Sequence, residues 1–261
     1  MPVHAVMKDS STTTKLRAVF DGSARTSSGH SFNDCLLPGT NLYPALLDVL
    51  IRFRFHQITL SADISKMFRE ILLNPGERDG HRFLVRTSDN AIKDARMVHL
   101  TFGIKSSPFA ATQVLRLQAD SHQTSHPSAS AVVLRDFYVD DVLTRAPNIN
   151  IALDLFTVLR DLLNDAGMSL QKWCTSDPEL CRRIPTELLE TELCCITPSS
   201  PLGVHWDTAS DTLHVAVPTS PTYHADVTKL MAGVFDVLGL FAPFVVATCI
   251  MFQDTWRLGL S

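Results

Sequence analysis

The hexapeptide FYVDDV, Phe137 to Val142, constrains the fold of this chain more than any other stretch, because it sets two adjacent carboxylates among β-branched and aromatic residues. Each ionised group loses hydration there and repels its neighbour, so the pair requires a surface or a compensating cation. The β-rich runs of AVVLRDFYVDDVLTR flank the pair and leave no room for a helix, which puts Asp140 and Asp141 at the tip of a tight hairpin. The same pattern commits this part of the chain to antiparallel pairing.

The remaining pattern mixes strands and helices without repeats. Two short strands, around Val3–Lys8 and Lys15–Asp21, are joined by the polar turn DSSTTT. Tyr43–Phe53 carries apolar residues at helical spacing, and Gln57–Asp63 reads as a strand. HRFLVRT and ARMVHL are further strands, and Ser106–Gln123 reads as a helix with Pro108 in its first turn, where a missing N–H costs little. The segment HQTSHPSAS reads as a loop. INIALDLFTVLRDLLNDAG aligns Ile151, Leu155, Val158, Leu159, Leu162 and Leu163 on one face and ends at Gly167. Segregated hairpins and helices in this order predict an α+β architecture, an antiparallel sheet with helices on one face.

At 261 residues with 45% hydrophobic content, the chain can bury at least one full core. Its net charge of −4 gives no global electrostatic case for nucleic acid, so a polyanion would have to meet local basic patches. Six cysteines (Cys35, Cys174, Cys181, Cys194, Cys195, Cys249) form no regular framework and lack the two close-spaced pairs of a zinc site, even with His205 nearby. No leader-like segment opens the chain, and a reducing intracellular compartment is expected. Val237–Phe252 is the most apolar run, but it is too short to span a membrane and contains Gly239 and Pro243; it is expected to be buried core. A Ser-based hydrolase is disfavoured because G-x-S-x-G is absent.

A third carboxylate, Asp63, closes another strand with alternating apolar residues. Strand-end carboxylates from distant segments, brought side by side in one sheet, form an oxygen-rich pocket suited to Mg²⁺. Two such ions clamp an in-line phosphoryl displacement.

FYVDD, SADISKMF and LTFGIKSSPFAATQ together resemble the three palm motifs of retroelement reverse transcriptases, and three ordered motifs with different residue requirements rarely coincide. STTTKLRAVFDGSARTSSG, FNDCLLPG, FDVLGLFAP and FQDTW most resemble the polymerase segment of BEL/Pao-type long-terminal-repeat retrotransposons. The resemblance implies a right-hand polymerase: partial fingers with the start of the palm over 1–60, palm with a fingers insertion over 61–175, and a primer-grip hairpin with a partial thumb or connection over 176–261. It also implies deoxynucleotide addition to a primer on an RNA or DNA template, with two Mg²⁺ ions for which Mn²⁺ can substitute, and no membrane partner. The setting would be cytoplasmic, within a virus-like particle, or nuclear.

By the same resemblance, Asp63, Asp140 and Asp141 are the catalytic and metal-binding carboxylates, and Lys172 of SLQKW approaches the triphosphate as a general acid. Lys8, Lys15, Arg17, Phe68, Phe102 and Gly103 contact the incoming nucleotide, with Phe68 excluding a 2′-hydroxyl. Tyr138 and Lys105 face primer or template, and Gly203 and Trp206 belong to the hairpin that grips the primer. The chain departs from the family's pattern in several ways. Met1 stands directly before the first fingers strand, Val237 replaces an expected Pro, and neither a protease motif nor a ribonuclease H or integrase part is present. The alternative expectation is accordingly a catalytically inactive fragment or a co-opted nucleic-acid-binding remnant.

Overall fold

The computed structural model describes residues 1–7, 16–190, 204–215, 239 and 241–257. Its elements run β1 (Val3–Met7), β2 (Leu16–Phe20), α1 (Leu46–Phe53), β3 (Ile58–Ile64), α2 (Met67–Glu70), β4 (Arg82–Arg86), β5 (Ile92–Arg96), α3 (Ser107–Ser121) and α4 (Pro127–Asp136). They continue with β6 (Phe137–Tyr138), β7 (Asp141–Ala146), α5 (Ile149–Asn164), β8 (Leu170–Thr175), α6 (Pro178–Arg183), β9 (Val204–Asp207), β10 (Thr212–Val215) and α7 (Ala242–Arg257). The fold is α+β. A four-stranded sheet has the order β6-β7-β3-β8, and three two-stranded hairpins are formed by β1 and β2, β4 and β5, and β9 and β10.

Two compact units divide the chain. The first comprises Met1–Pro44, Asp63–Val142 and Leu153–Gln171. Its helices bury small and branched residues on single faces: Ala111, Leu115 and Ala119 on α3, Ala129, Val132 and Val133 on α4, and Leu155, Phe156, Leu159, Leu162 and Leu163 on α5. Gln118 Nε2 donates to the Leu162 carbonyl at 2.8 Å, fixing α3 against α5. Helix α5 starts where Asn148 Oδ1 accepts from the Ile151 amide at 3.1 Å. It stops at Gly167, whose φ of 73° lets the Gly167 and Met168 amides reach back to the Asn164 and Leu163 carbonyls.

The second unit comprises Ala45–Ala62, Leu143–Ala152 and Lys172–Ser261. Its core cluster joins Val49, Leu50 and Phe53 of α1 with Leu143, Cys174 and Trp206. The Phe53 and Trp206 rings meet edge to face at 4.9 Å. Asp211 accepts from both Trp206 Nε1, at 3.0 Å, and Arg54, so the turn of the β9–β10 hairpin is pinned to the end of α1.

The sequence pattern is met at β1, β2, β3, β4, α3, α5 and the hairpin tip, with boundaries moved by a few residues. Three segments differ. AVVLRD is not a strand: Pro127–Asp136 forms α4, so helix also replaces the end of the expected loop HQTSHPSAS. The buried positions Ala129, Val132, Val133 and Asp136 recur at helical spacing, and that face decides against the β-branched propensity of the run. ARMVHL contributes only Ala95 and Arg96 to β5. Beyond them, Val98 and Leu100 bond the extended backbone of Leu73 and Ile71. Strand β5 escapes an apolar pattern because four of its five residues are exposed.

The third difference is Val237–Phe252. Most of its described part lies in α7, where Phe244, Val246, Ile250 and Met251 are exposed and no described side chain is buried. Apolar residues all round a helix need packing on several sides, and here Val245, Thr248 and Cys249 are only partly buried. Among the described residues, no helix is long and apolar enough to cross a membrane.

His81, at the base of the β4–β5 hairpin, is buried edge-on to Phe32, with ring centroids 5.3 Å apart. Burial pushes its imidazole below the ordinary 6.5, opposed by Glu77. The unfolded chain therefore takes the proton first. Stability contributed by the neutral ring is present above pH 6.5 and lost as pH falls from there through the lower folded value. We expect the urea midpoint to drop between pH 7.5 and 5.5, and the drop to be smaller in His81→Gln.

Candidate active site

Strand β3 is buried along its length except at Asp63, its penultimate residue, which is half-buried. The opposing hairpin is β6 and β7, with Phe137 paired to Val142 and Tyr138 to Asp141, leaving Val139 and Asp140 as a two-residue loop. The Ile64 amide donates to the Asp140 carbonyl at 2.9 Å. One backbone bond thus ties the residue after Asp63 to the loop, although 76 positions separate them in the chain. Asp140 and Asp141 are also half-buried.

The loop is strained. Val139 has φ of 60°, a left-handed conformation that a β-branched side chain rarely adopts. Two-residue hairpin loops demand positive φ at the first central position, where glycine is normal. Support comes from below, where Val139 lines a small cavity with Tyr43, Leu115, Arg116, Val133 and Phe137. It also comes from the side: Tyr138 packs on Tyr43 with ring centroids 5.4 Å apart. Just before the hairpin, fully buried Asp136 receives two bonds from Arg135, at 2.9 and 3.0 Å, which raise the Arg135 pKa above its ordinary value.

The donors in this region are carboxylates, hard oxygen ligands of the kind Mg²⁺ takes. Among the described residues, no three His, Cys, Asp or Glu side chains are gathered into a metal-holding group. The chemistry of the donor set fits the ion, while the side chains are not assembled around one.

Phe68, on α2, is buried, and its ring packs at 4.5 Å from that of Phe102, which is exposed. Gly103 follows with φ of 85°, and a Cβ there would lie 2.0 Å from the Phe20 carbonyl oxygen, so only glycine fits. Lys105 is exposed two residues on. Lys172 is exposed at φ of 54° in the second unit. Lys8, Lys15 and Gly203 lie outside the described residues; the backbone of Arg17 pairs with Val6 in the first hairpin.

Trp206 requires a correction. With no exposed surface, it offers no face to a primer and anchors the β9–β10 hairpin from within the core. The residue missed by motif reading is Asn33, whose side chain bonds the Phe102–Lys105 loop. Its signal was only its place in FNDCLLPG, since a single Asn in a loop has no distinguishing spacing.

Comparison with solved structures shows that the fold is similar to that of a reverse transcriptase. One such structure is a foamy viral protease-reverse transcriptase dRH solved in complex with double-stranded DNA, with a TM-score of 0.62 and 15% identity over 97% of this chain. This chain spans 39% of the length of that one. No protein-family model matches the sequence. No curated protein matches it either.

Replacing Val139 by Gly removes a left-handed β-branched residue at a strain cost of about 1–3 kcal/mol, against roughly 0.5–1 kcal/mol of added chain entropy. We expect Val139→Gly to raise unfolding stability by about 1 kcal/mol in chemical denaturation. A loss of that size would show that cavity packing outweighs the strain.

Proposed function

We propose that the chain is the polymerase segment of a BEL/Pao-type retrotransposon polyprotein, a reverse transcriptase that extends a primer 3′-hydroxyl with deoxynucleoside triphosphates on an RNA or DNA template. The observation that carries this reading is the Ile64 to Asp140 backbone bond, which seats two acid-bearing segments, distant in sequence, next to one another in one sheet. The order of the three motifs and the likeness to a reverse transcriptase held on double-stranded DNA support it.

In this reading, Asp63, Asp140 and Asp141 hold two Mg²⁺ ions, replaceable by Mn²⁺, and the bound ions supply charge neutralisation for phosphoryl transfer. The chain's own groups position the reactants. Phe68 packs beneath Phe102 as an apolar floor, its exclusion of a 2′-hydroxyl rests on the SADISKMF motif, and Gly103 would allow close backbone approach to the nucleotide. Lys105, together with Lys8, Lys15 and Arg17, meets phosphate oxygens, which lets a net-acidic chain hold a polyanion. Tyr138, braced by Tyr43, lies against the primer end. Lys172 hands a proton to the departing pyrophosphate, a role that rests on the SLQKW motif. Ribonuclease H and integrase parts would act from elsewhere in the polyprotein.

One observation favours a second reading, a nucleic-acid-binding remnant without turnover: the described residues hold no assembled ligand group. Primer extension on an RNA template with Mg²⁺ or Mn²⁺ separates the two. We expect metal-dependent extension by the folded chain, abolished in Asp140→Asn while primer–template binding stays within a few-fold, because phosphate contacts elsewhere dominate affinity. Folded chain that binds primer–template but never extends it supports the remnant.

The floor can be tested separately. Phe68→Ala is expected to raise ribonucleotide incorporation relative to deoxynucleotide in single-nucleotide assays. An unchanged ratio assigns Phe68 to packing alone.

A further inference from the structure

Asn33 lies in FNDCLLPG, outside the three palm motifs, yet its side chain makes three hydrogen bonds that join separate parts of the first unit. Its Nδ2 donates to the Gly103 carbonyl at 3.0 Å and to Ser23 Oγ at 2.9 Å. Its Oδ1 accepts from the Lys105 amide at 2.9 Å. Its own amide donates to the Gly22 carbonyl at 2.9 Å. One side chain therefore staples the turn after β2 to both ends of the Gly103–Lys105 segment.

That segment carries Phe102, the exposed ring packed on Phe68, and Lys105, the exposed cation two residues on. The backbone of Gly103 is in turn pressed against the Phe20 carbonyl, at the end of β2. Nothing in the loop's own sequence fixes φ of 85° at Gly103, since glycine adopts many conformations. The conformation has to be imposed from outside, and the amide of Asn33 holds the carbonyl of that residue and the N–H two residues later. We propose that Asn33 is a positioning residue for the nucleotide pocket: it holds the Phe102–Lys105 loop in place over Phe68 and couples it to the β1–β2 hairpin. This deepens, and rests on, the polymerase reading.

The inference predicts a split that loss of stability would not produce. Asn33→Ala removes all three side-chain bonds. Asn33→Asp keeps the shape and an acceptor for Lys105 N–H, but sets an oxygen against the Gly103 carbonyl and loses the donor to it. The experiment uses the full chain in primer extension with deoxynucleotide titration, alongside amide hydrogen exchange and thermal melting. Both variants are expected to raise the nucleotide KM on the order of tenfold, with kcat and primer–template affinity changed less. Exchange at the Lys105 amide should accelerate in Asn33→Ala and stay slow in Asn33→Asp.

If the wild type extends primers and a folded variant keeps its KM, the positioning role is overturned while the polymerase reading stands. Equal Lys105 exchange in the wild type and Asn33→Ala also overturns it. If Asn33→Ala fails to fold, Asn33→Asp decides through KM alone. A wild-type chain that binds but does not extend overturns both readings together.

Discussion

Strand β3 is the member on which the rest of the structure depends. Six of its seven residues are buried, including Thr59 and Ser61, so its polar backbone has to be satisfied through its neighbours. On one side the Ile64 amide finds the Asp140 carbonyl. On the other, the Ser65 amide bonds the Ser169 carbonyl at one end and the Ser176 amide bonds the Thr59 carbonyl at the other, so β8 runs antiparallel to it. A strand enclosed this way cannot slip by one residue without turning its buried set outward. The burial of β3 thereby fixes the position of Asp63 relative to the acidic loop.

Much of this was legible in the sequence, for identifiable reasons. Helix α5 announced itself because its apolar face and its stop at Gly167 point the same way, and the acidic hairpin because a two-residue gap between β-formers admits little else. Helix α4 was hidden because Val132 and Val133 favour strands locally, while the buried face that decides the matter exists only after packing. Strand β5 was hidden because an exposed hairpin strand, held by the ion pairs of Arg82 with Asp94 and of Arg96 with Asp79, needs no apolar alternation. Asn33 was invisible because its partners lie 70 and 72 positions away. Trp206 was misjudged because ring chemistry suits both a nucleic-acid surface and a core, and only burial tells them apart.

Backbone strain follows the motifs. Among the described residues, Lys66, Asn90, Val139, Lys172 and Asp211 are the non-glycine positions with positive φ. Three of the five fall in SADISKMF, FYVDDV and SLQKW, the segments singled out for chemistry. Asn90 and Asp211 belong to residue types that tolerate such turns; Val139 does not. Strain of this kind persists only where the surroundings over-determine it, and here the surroundings are the paired strands, the tyrosine pair and the cavity wall beneath the loop.

The contact between Gly103 and Phe20 has a consequence for how such chains can diversify. With the Phe20 carbonyl in the space that any side chain at position 103 would occupy, the end of β2 and the Phe102–Lys105 loop behave as one inherited part, although 83 positions separate them. An exchanged loop keeps this fit only if it brings glycine at position 103. Exchangeable modules in this fold are therefore bounded by backbone contacts across the unit and not by the order of motifs along the chain.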